Sequence, residues 1–224
     1  MNTNKLQVFV FAMLFVVGAF TGCVDEDDET TTDNSIKIGF LNPITGPLEP
    51  DAAGFKWGAD QAISDLAKMY PDETFKLIEL DSGCSGDVAG PAAQTLVDSG
   101  VVAVVGAACS GASMSANAVL AAAGIPMISY ASTNPGLSDE AKYPHFYRNV
   151  PSDAIQGPAG AAMMADAGVT NESLAILHMT NDYGSGLADS IKAAWEEDGK
   201  LCSAGMQGYC LLYTSPSPRD GRES

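Results

Sequence analysis

Apolar and polar positions follow two rhythms along this chain. Short runs dominated by branched apolar residues read as strands: "IKIGFLNP" at 36–43, "FKLIELD" at 75–81, "VVAVVGAA" at 101–108, "PMISYAS" at 126–132 and "LAILHM" at 174–179. Segments with helical spacing lie between and after them, at 55–70, 90–100, 115–124, 153–168 and 186–199. In the first of these, Trp57, Ala62, Ile63 and Leu66 fall on one face. The second carries Pro91 in its first turn and closes at Gly100, and the third stops at Gly124 ahead of Pro126. Strands that are apolar throughout and alternate with helices predict an α/β fold, a parallel sheet covered on both faces. The theme runs twice, over 36–150 and again, more briefly, over 151–209, with "YRNVPSD" as the crossover between the two parts.

Both ends break this pattern. Lys5 precedes an unbroken apolar run from Val8 to Phe20, short for a membrane span and suited to the core of a secretory signal over residues 1–22. The run ends in "FTGC", which resembles the lipobox of bacterial and archaeal lipoproteins, so Cys23 is the expected lipidation site. Phe20 stands where leucine is usual. Residues 23–35 are acidic, rich in threonine and nearly free of apolar side chains, and are expected to be a flexible tether. At the other end, "CLLYTSPSPRDGRES" at 210–224 has no periodicity and an alien composition, and reads as a non-native tail.

Composition narrows the function. Hydrophobic residues make up 46% of the 224 and charged residues 17%, enough apolar material for a core. The formal net charge of −17 repels phosphate backbones and anionic lipid, which excludes nucleic acid as a partner and leaves a lipid anchor as the only membrane contact.

In an open parallel sheet, ligands bind at the carboxyl ends of the strands. Those ends are "NPITGP", "DSGCSGD", "GAACSGAS", "YASTNPG" and "MTNDYGSG", all rich in short polar side chains and glycine. A serine or cysteine nucleophile needs a base, and His145 and His178 lie in no triad pattern. The cysteines at 23, 84, 109, 202 and 210 form no metal-ligand spacing, and no dinucleotide loop is complete, so neither metal nor cofactor is expected. Cys84 and Cys109 each follow a strand in an exported chain. Were those strands neighbours, a disulfide would tie their loops together. Ser110 then sits at a helix start, either as an N-cap or as a donor to a carboxylate, with Gly111 allowing close approach.

The motifs "IKIGFLNPITGP", "CSGAS", "GIPMISYASTNP", "YRNVPSDAIQGPA" and "NDYGSGLADSIK" occur in the order found in type I periplasmic binding proteins of the leucine/isoleucine/valine-binding kind, and over about 36–200 the chain resembles that family. The resemblance implies two doubly wound parallel-sheet lobes, the second incomplete in a C-terminally truncated chain, closing on a ligand. It implies a Cys84–Cys109 disulfide, a ligand carboxylate on Ser110, the carbonyl of Ala131 for the ammonium, and Thr133 for both ends of the zwitterion, with Ser132 between. Tyr183 closes from the second lobe. Asp51 stands about where an aromatic residue lies against the ligand side chain in branched-chain binders, which favours a more polar ligand. The expectation is a monomeric, non-enzymatic, extracytoplasmic lipoprotein that binds an amino acid for the permease subunits of an ABC importer. A sensor domain of the same fold and an exported hydrolase using Ser110 are the alternatives.

Overall fold

A computed structural model of the chain describes residues 33–170, 174–197 and 205–209. The signal segment, Cys23, the tether up to residue 32, Cys202 and the tail at 210–224 lie outside the described residues. The described strands are β1 (Ile36–Asn42), β2 (Phe75–Asp81), β3 (Ala103–Val105), β4 (Met127–Ser129), β5 (Phe146–Arg148), β6 (Ile176–Met179) and β7 (Met206–Tyr209). The helices are α1 (Ala52–Met69), α2 (Gly86–Asp98), α3 (Ser110–Ala122), α4 (Asp153–Asp166) and α5 (Asp182–Glu197). Single 3-10 turns occupy Glu49–Asp51 and Pro135–Ser138.

β1 to β5 form one parallel sheet in the order β2-β1-β3-β4-β5, and β6 pairs in parallel with β7. β7 was not expected: "MQGY" carries no apolar run, and its place comes from pairing Met206 to Tyr209 along Ile176 to Met179. Parallel neighbours need long crossovers; helices supply them except between β4 and β5, which are joined by residues 130–145 with the 3-10 turn at Pro135–Ser138. The step from β1 through α1 moves to one side of β1, and the step through α2 returns to the other. Right-handed crossovers in opposite directions put their helices on opposite faces. α1 accordingly packs on β1 and β2 from one side, while α2 and α3 lie against each other on the second side.

The main core lies under α2 and α3. Leu41, Val104 and Met127 from the sheet meet Ala89, Ala93 and Leu96 of α2 and Ala112, Ala116 and Leu120 of α3, all buried. Small alanines facing large sheet residues let two helices settle closely on one face. On the opposite face, the ring of Phe55 of α1 packs tilted against Tyr130 at 4.9 Å, and Tyr130 lies 6.0 Å from Phe40. That contact sets the rotation of α1. Its inner stripe is Phe55, Ala59, Ile63 and Leu66, while Trp57 and Ala62 face outward.

Three helices begin four or five residues earlier than their apolar spacing suggests. The hydroxyl of Ser85 accepts from the N–H of Asp87 at 3.2 Å and caps α2 ahead of Gly86, which leaves Pro91 inside the helix. α3 starts at Ser110 and α5 at Asp182. Their first turns are small and polar, so hydropathy reads them as loop. β3 is correspondingly short, because the chain leaves the sheet after Val105 to reach α3.

Cys84 and Cys109 are bonded, with Cα atoms 5.1 Å apart. Adjacent strands are not the cause, since β1 lies between β2 and β3. The side-by-side packing of α2 and α3 brings their N-termini together, and each cysteine sits just ahead of or at one of those termini. Closing a 25-residue separation is expected to contribute roughly 3 kcal/mol in chain-entropy terms. Urea unfolding of a Cys84→Ser, Cys109→Ser variant is therefore expected to show a loss of about that size. Alkylation of the unreduced, folded chain is expected to leave both cysteines unlabelled.

Candidate functional site

The strand order reverses at β1, whose neighbours are β2 and β3, so the loops after β1 and β3 part company at the carboxyl edge of the sheet. A cleft of about 560 Å³ opens there. Pro47 and Leu48 line it from the β1 loop, Cys84 to Gly86 from the start of α2, and Ala108 to Gly111 from the start of α3. Ala131 and Thr133 line it from the loop after β4. Gln156 of α4 and Met179, Asn181, Asp182 and Tyr183 around the start of α5 form the facing wall.

The loops that carry these residues are pinned from below. Asp81 at the end of β2 accepts from the Thr45 hydroxyl at 2.5 Å, from its N–H at 3.1 Å and from the N–H of Gly83 at 2.8 Å. Partial burial works to raise the Asp81 pKa, but these donors together hold it below the usual carboxylate value. Buried Asn42 donates to Glu79 and to the Ala52 carbonyl, which fixes where α1 departs from the β1 loop.

The loops after β3 and β4 are joined by serines. The hydroxyls of Ser113, Ser129 and Ser132 converge on the carbonyl of Ala107 at 2.6–3.1 Å. Ser132 is wholly buried, with its hydroxyl also 3.1 Å from the carbonyl of Ala108, and it does not line the cleft. Expected to face a ligand, it instead fastens one cleft loop to the other.

Ser110 is the first residue of α3 and not its cap. Cys109 occupies the cap position and its side chain makes no capping bond, unlike Ser85 and Ser152 ahead of α2 and α4. The first turn of α3 thus meets the cleft with N–H groups that no cap side chain covers, next to the Ser110 hydroxyl. Ser110 Oγ accepts from the N–H of Asn134 at 3.3 Å, which leaves its own proton for another acceptor.

Thr133 stands on the adjacent loop and donates its hydroxyl proton to Asp153 Oδ2 at 2.9 Å, while the N–H of Asp153 donates to the Thr133 carbonyl at 2.9 Å. Asp153 is wholly buried at the start of α4. Burial pushes its carboxyl above the usual value, against the opposing effects of the Thr133 bond and of Arg148 nearby. Arg148 braces the same loop by donating to the Asn134 carbonyl at 3.0 Å and to the Ser138 hydroxyl. Sequence patterns gave no sign of Asp153, because an acidic residue in a first helical turn is ordinary there.

α5 reaches the first sheet's loops closely. Asn134 donates through its side chain to the Asp182 carbonyl. A Cβ at Gly111 would strike the Asp182 carboxylate, and one at Gly186 would strike Asn134. Both glycines leave room for this approach. Asn181 accepts from the N–H of Gly184 at 2.8 Å and so starts the helix that sets Tyr183 on the cleft wall.

Ser110, Gly111, Ala131, Thr133 and Tyr183 therefore meet in one cleft, with the disulfide in its floor. Asp51 does not join them: it ends an exposed 3-10 turn, and Leu48 takes the wall in its place. The helical turn at Glu49–Asp51, which spacing did not predict, rotates Asp51 away. Neither His145 nor His178 lines the cleft, and the Nδ1–H of His178 is engaged with the Met179 carbonyl.

The profile described as "Receptor family ligand binding region" matches residues 58–208. The leucine-specific-binding protein of Salmonella typhimurium is 31% identical over 161 residues, which cover 71% of this chain and 43% of that protein. The metabotropic glutamate receptor-like protein E of Dictyostelium discoideum is 30% identical, over 70% of this chain and 19% of the receptor. The crystal structure of the branched-chain amino acid transporter substrate-binding protein LivJ from Streptococcus pneumoniae, in complex with isoleucine, superposes with a TM-score of 0.66 at 22% identity, covering 84% of this chain and 55% of that one. The chain spans less than half the length of the curated relatives it matches. It belongs to the receptor ligand-binding-region family and, within it, to the type I periplasmic binding proteins of the leucine/isoleucine/valine-binding kind.

The buried carboxyl offers a direct check on this geometry. Removing the hydroxyl in Thr133→Val takes away a bond that favours the charged form, so Asp153 is expected to titrate higher still, measured from its carboxyl carbon by NMR. A pKa raised in the folded state makes ionisation cost stability. The contribution of Asp153 to stability is therefore expected to be greatest below the ordinary value of 3.8 and to decline as pH rises through the folded value.

Proposed function

We propose that this member of the leucine/isoleucine/valine-binding family captures an amino acid outside the cytoplasm and delivers it to the permease subunits of an ABC importer, without catalysing a reaction. The observation that carries the reading is the pairing of opposite chemistries in one cleft. The uncapped start of α3 with Ser110 offers donors and a positive helix end suited to a carboxylate. Thr133 and Ala131, on the neighbouring loop, offer oxygens suited to an ammonium. A zwitterion supplies both charges at the spacing of one carbon atom.

Pro47, Leu48 and Met179 supply apolar wall for the side chain, and Tyr183 stands opposite on the first turn of α5. With Asp51 outside the cleft, the case for a polar or basic ligand loses its main support. A branched-chain or similar aliphatic amino acid fits better. We place the protein at the outer face of the membrane as a monomer, secreted by residues 1–22 and anchored by lipid on Cys23 through the acidic tether. A sensor domain is the second reading, supported by the receptor relative from Dictyostelium discoideum.

Calorimetry with the twenty common amino acids is expected to show tight binding of one or a few aliphatic ones, and binding of none contradicts the reading. Thr133→Ala is expected to weaken that binding by about 1–3 kcal/mol, the range for losing a hydrogen bond to a charged group.

A further inference from the structure

A hydroxyl has one proton to give and two lone pairs that accept. At Thr133 the proton is already committed, because Oγ1 donates to Asp153 Oδ2 at 2.9 Å. Asp153 cannot turn away from this bond. It is wholly buried, and its main chain is held at both ends, by its N–H on the Thr133 carbonyl at 2.9 Å and by its carbonyl accepting from the Ser190 hydroxyl at 2.7 Å. Its second oxygen, Oδ1, is buried with no hydrogen-bond partner among the described residues. A carboxyl kept dry with half its acceptors idle costs stability, so a purely structural account leaves its presence unexplained. Asp153 does not line the cleft; Thr133 does.

On the adjacent loop Ser110 has the reverse arrangement. Its oxygen accepts from the Asn134 N–H, so its proton is available to a ligand. We propose that Asp153 is a positioning residue that fixes the hydrogen-bond polarity of the site: by holding the only hydroxyl proton of Thr133 it makes that oxygen an acceptor alone, so the Thr133 hydroxyl reads the ligand's ammonium and not its carboxylate. The inference rests on the amino-acid reading above and narrows it, since the Thr133 hydroxyl then serves one end of the zwitterion and the Ser110 hydroxyl the other. A ligand that lacks the ammonium leaves the Thr133 hydroxyl facing a group to which it has no proton to donate.

The test compares L-leucine with 4-methylpentanoate, which keeps the carboxylate and side chain but lacks the ammonium, by calorimetry and competition on the full chain. In Asp153→Ala the Thr133 proton is released. Affinity for L-leucine is expected to fall about tenfold or more, while that for 4-methylpentanoate stays within about threefold or improves. Asp153→Asn, which keeps an acceptor oxygen beside Thr133, is expected to give an intermediate preference. In a Thr133→Val background, Asp153→Ala is expected to change the preference no further. Equal losses for both ligands, or an unchanged preference in whichever Asp153 variant folds, would overturn the proposal. Binding of neither L-leucine nor any other amino acid by the unaltered chain would instead overturn the amino-acid reading on which it rests.

Discussion

The position of β1 between β2 and β3 governs the rest of the molecule. From β1 the chain steps to β2 on one side and then crosses back to β3 on the other, so the connections leave this edge in opposite directions. A gap opens between the two sets of loops at that edge. The helices on the second face then decide what fills the gap. Because α2 and α3 pack on each other through alanines, their N-termini lie together, and two loops that follow non-adjacent strands come within disulfide distance. The bridge forms part of the cleft's floor and keeps the α3 N-terminus aimed into it.

The polar side chains around this gap divide into two groups. Ser113, Ser129 and Ser132 spend their hydroxyls on one buried carbonyl, and Asp81 spends its oxygens on the β1 loop. These groups hold the loops and are used up in doing so. Ser110 and Thr133 retain capacity toward the cleft, of opposite sense: a proton at one and lone pairs at the other. Rigidity in the first group makes the chemistry of the second definite, since a donor and an acceptor on wandering loops would select nothing.

Much of this was legible in the sequence. The apolar runs predict five of the described strands and their parallel arrangement, and the loops rich in short polar residues at their carboxyl ends are the ones that line the cleft. The failures share a cause. Hydropathy cannot see a helix turn made of serine, glycine and alanine, so α2, α3 and α5 began too late on paper. It cannot see a strand such as "MQGY" that exists because a neighbour's edge is open. Ser132 and Asp51 lie near cleft-lining residues in sequence but face elsewhere, one drawn into a buried network and the other turned out by a 3-10 turn. Asp153 was invisible for a different reason: its significance comes from a partner 20 residues away and from burial, neither of which composition records.

The central claim is that one cleft sorts the two charges of an amino acid, and a crystal structure of the chain soaked or grown with L-leucine tests it most directly. The account predicts the ligand's carboxylate on the Ser110 hydroxyl and the first turn of α3, with its ammonium against Thr133 and the carbonyl of Ala131. A ligand bound in the reverse sense, or bound at another place on the molecule, would contradict it.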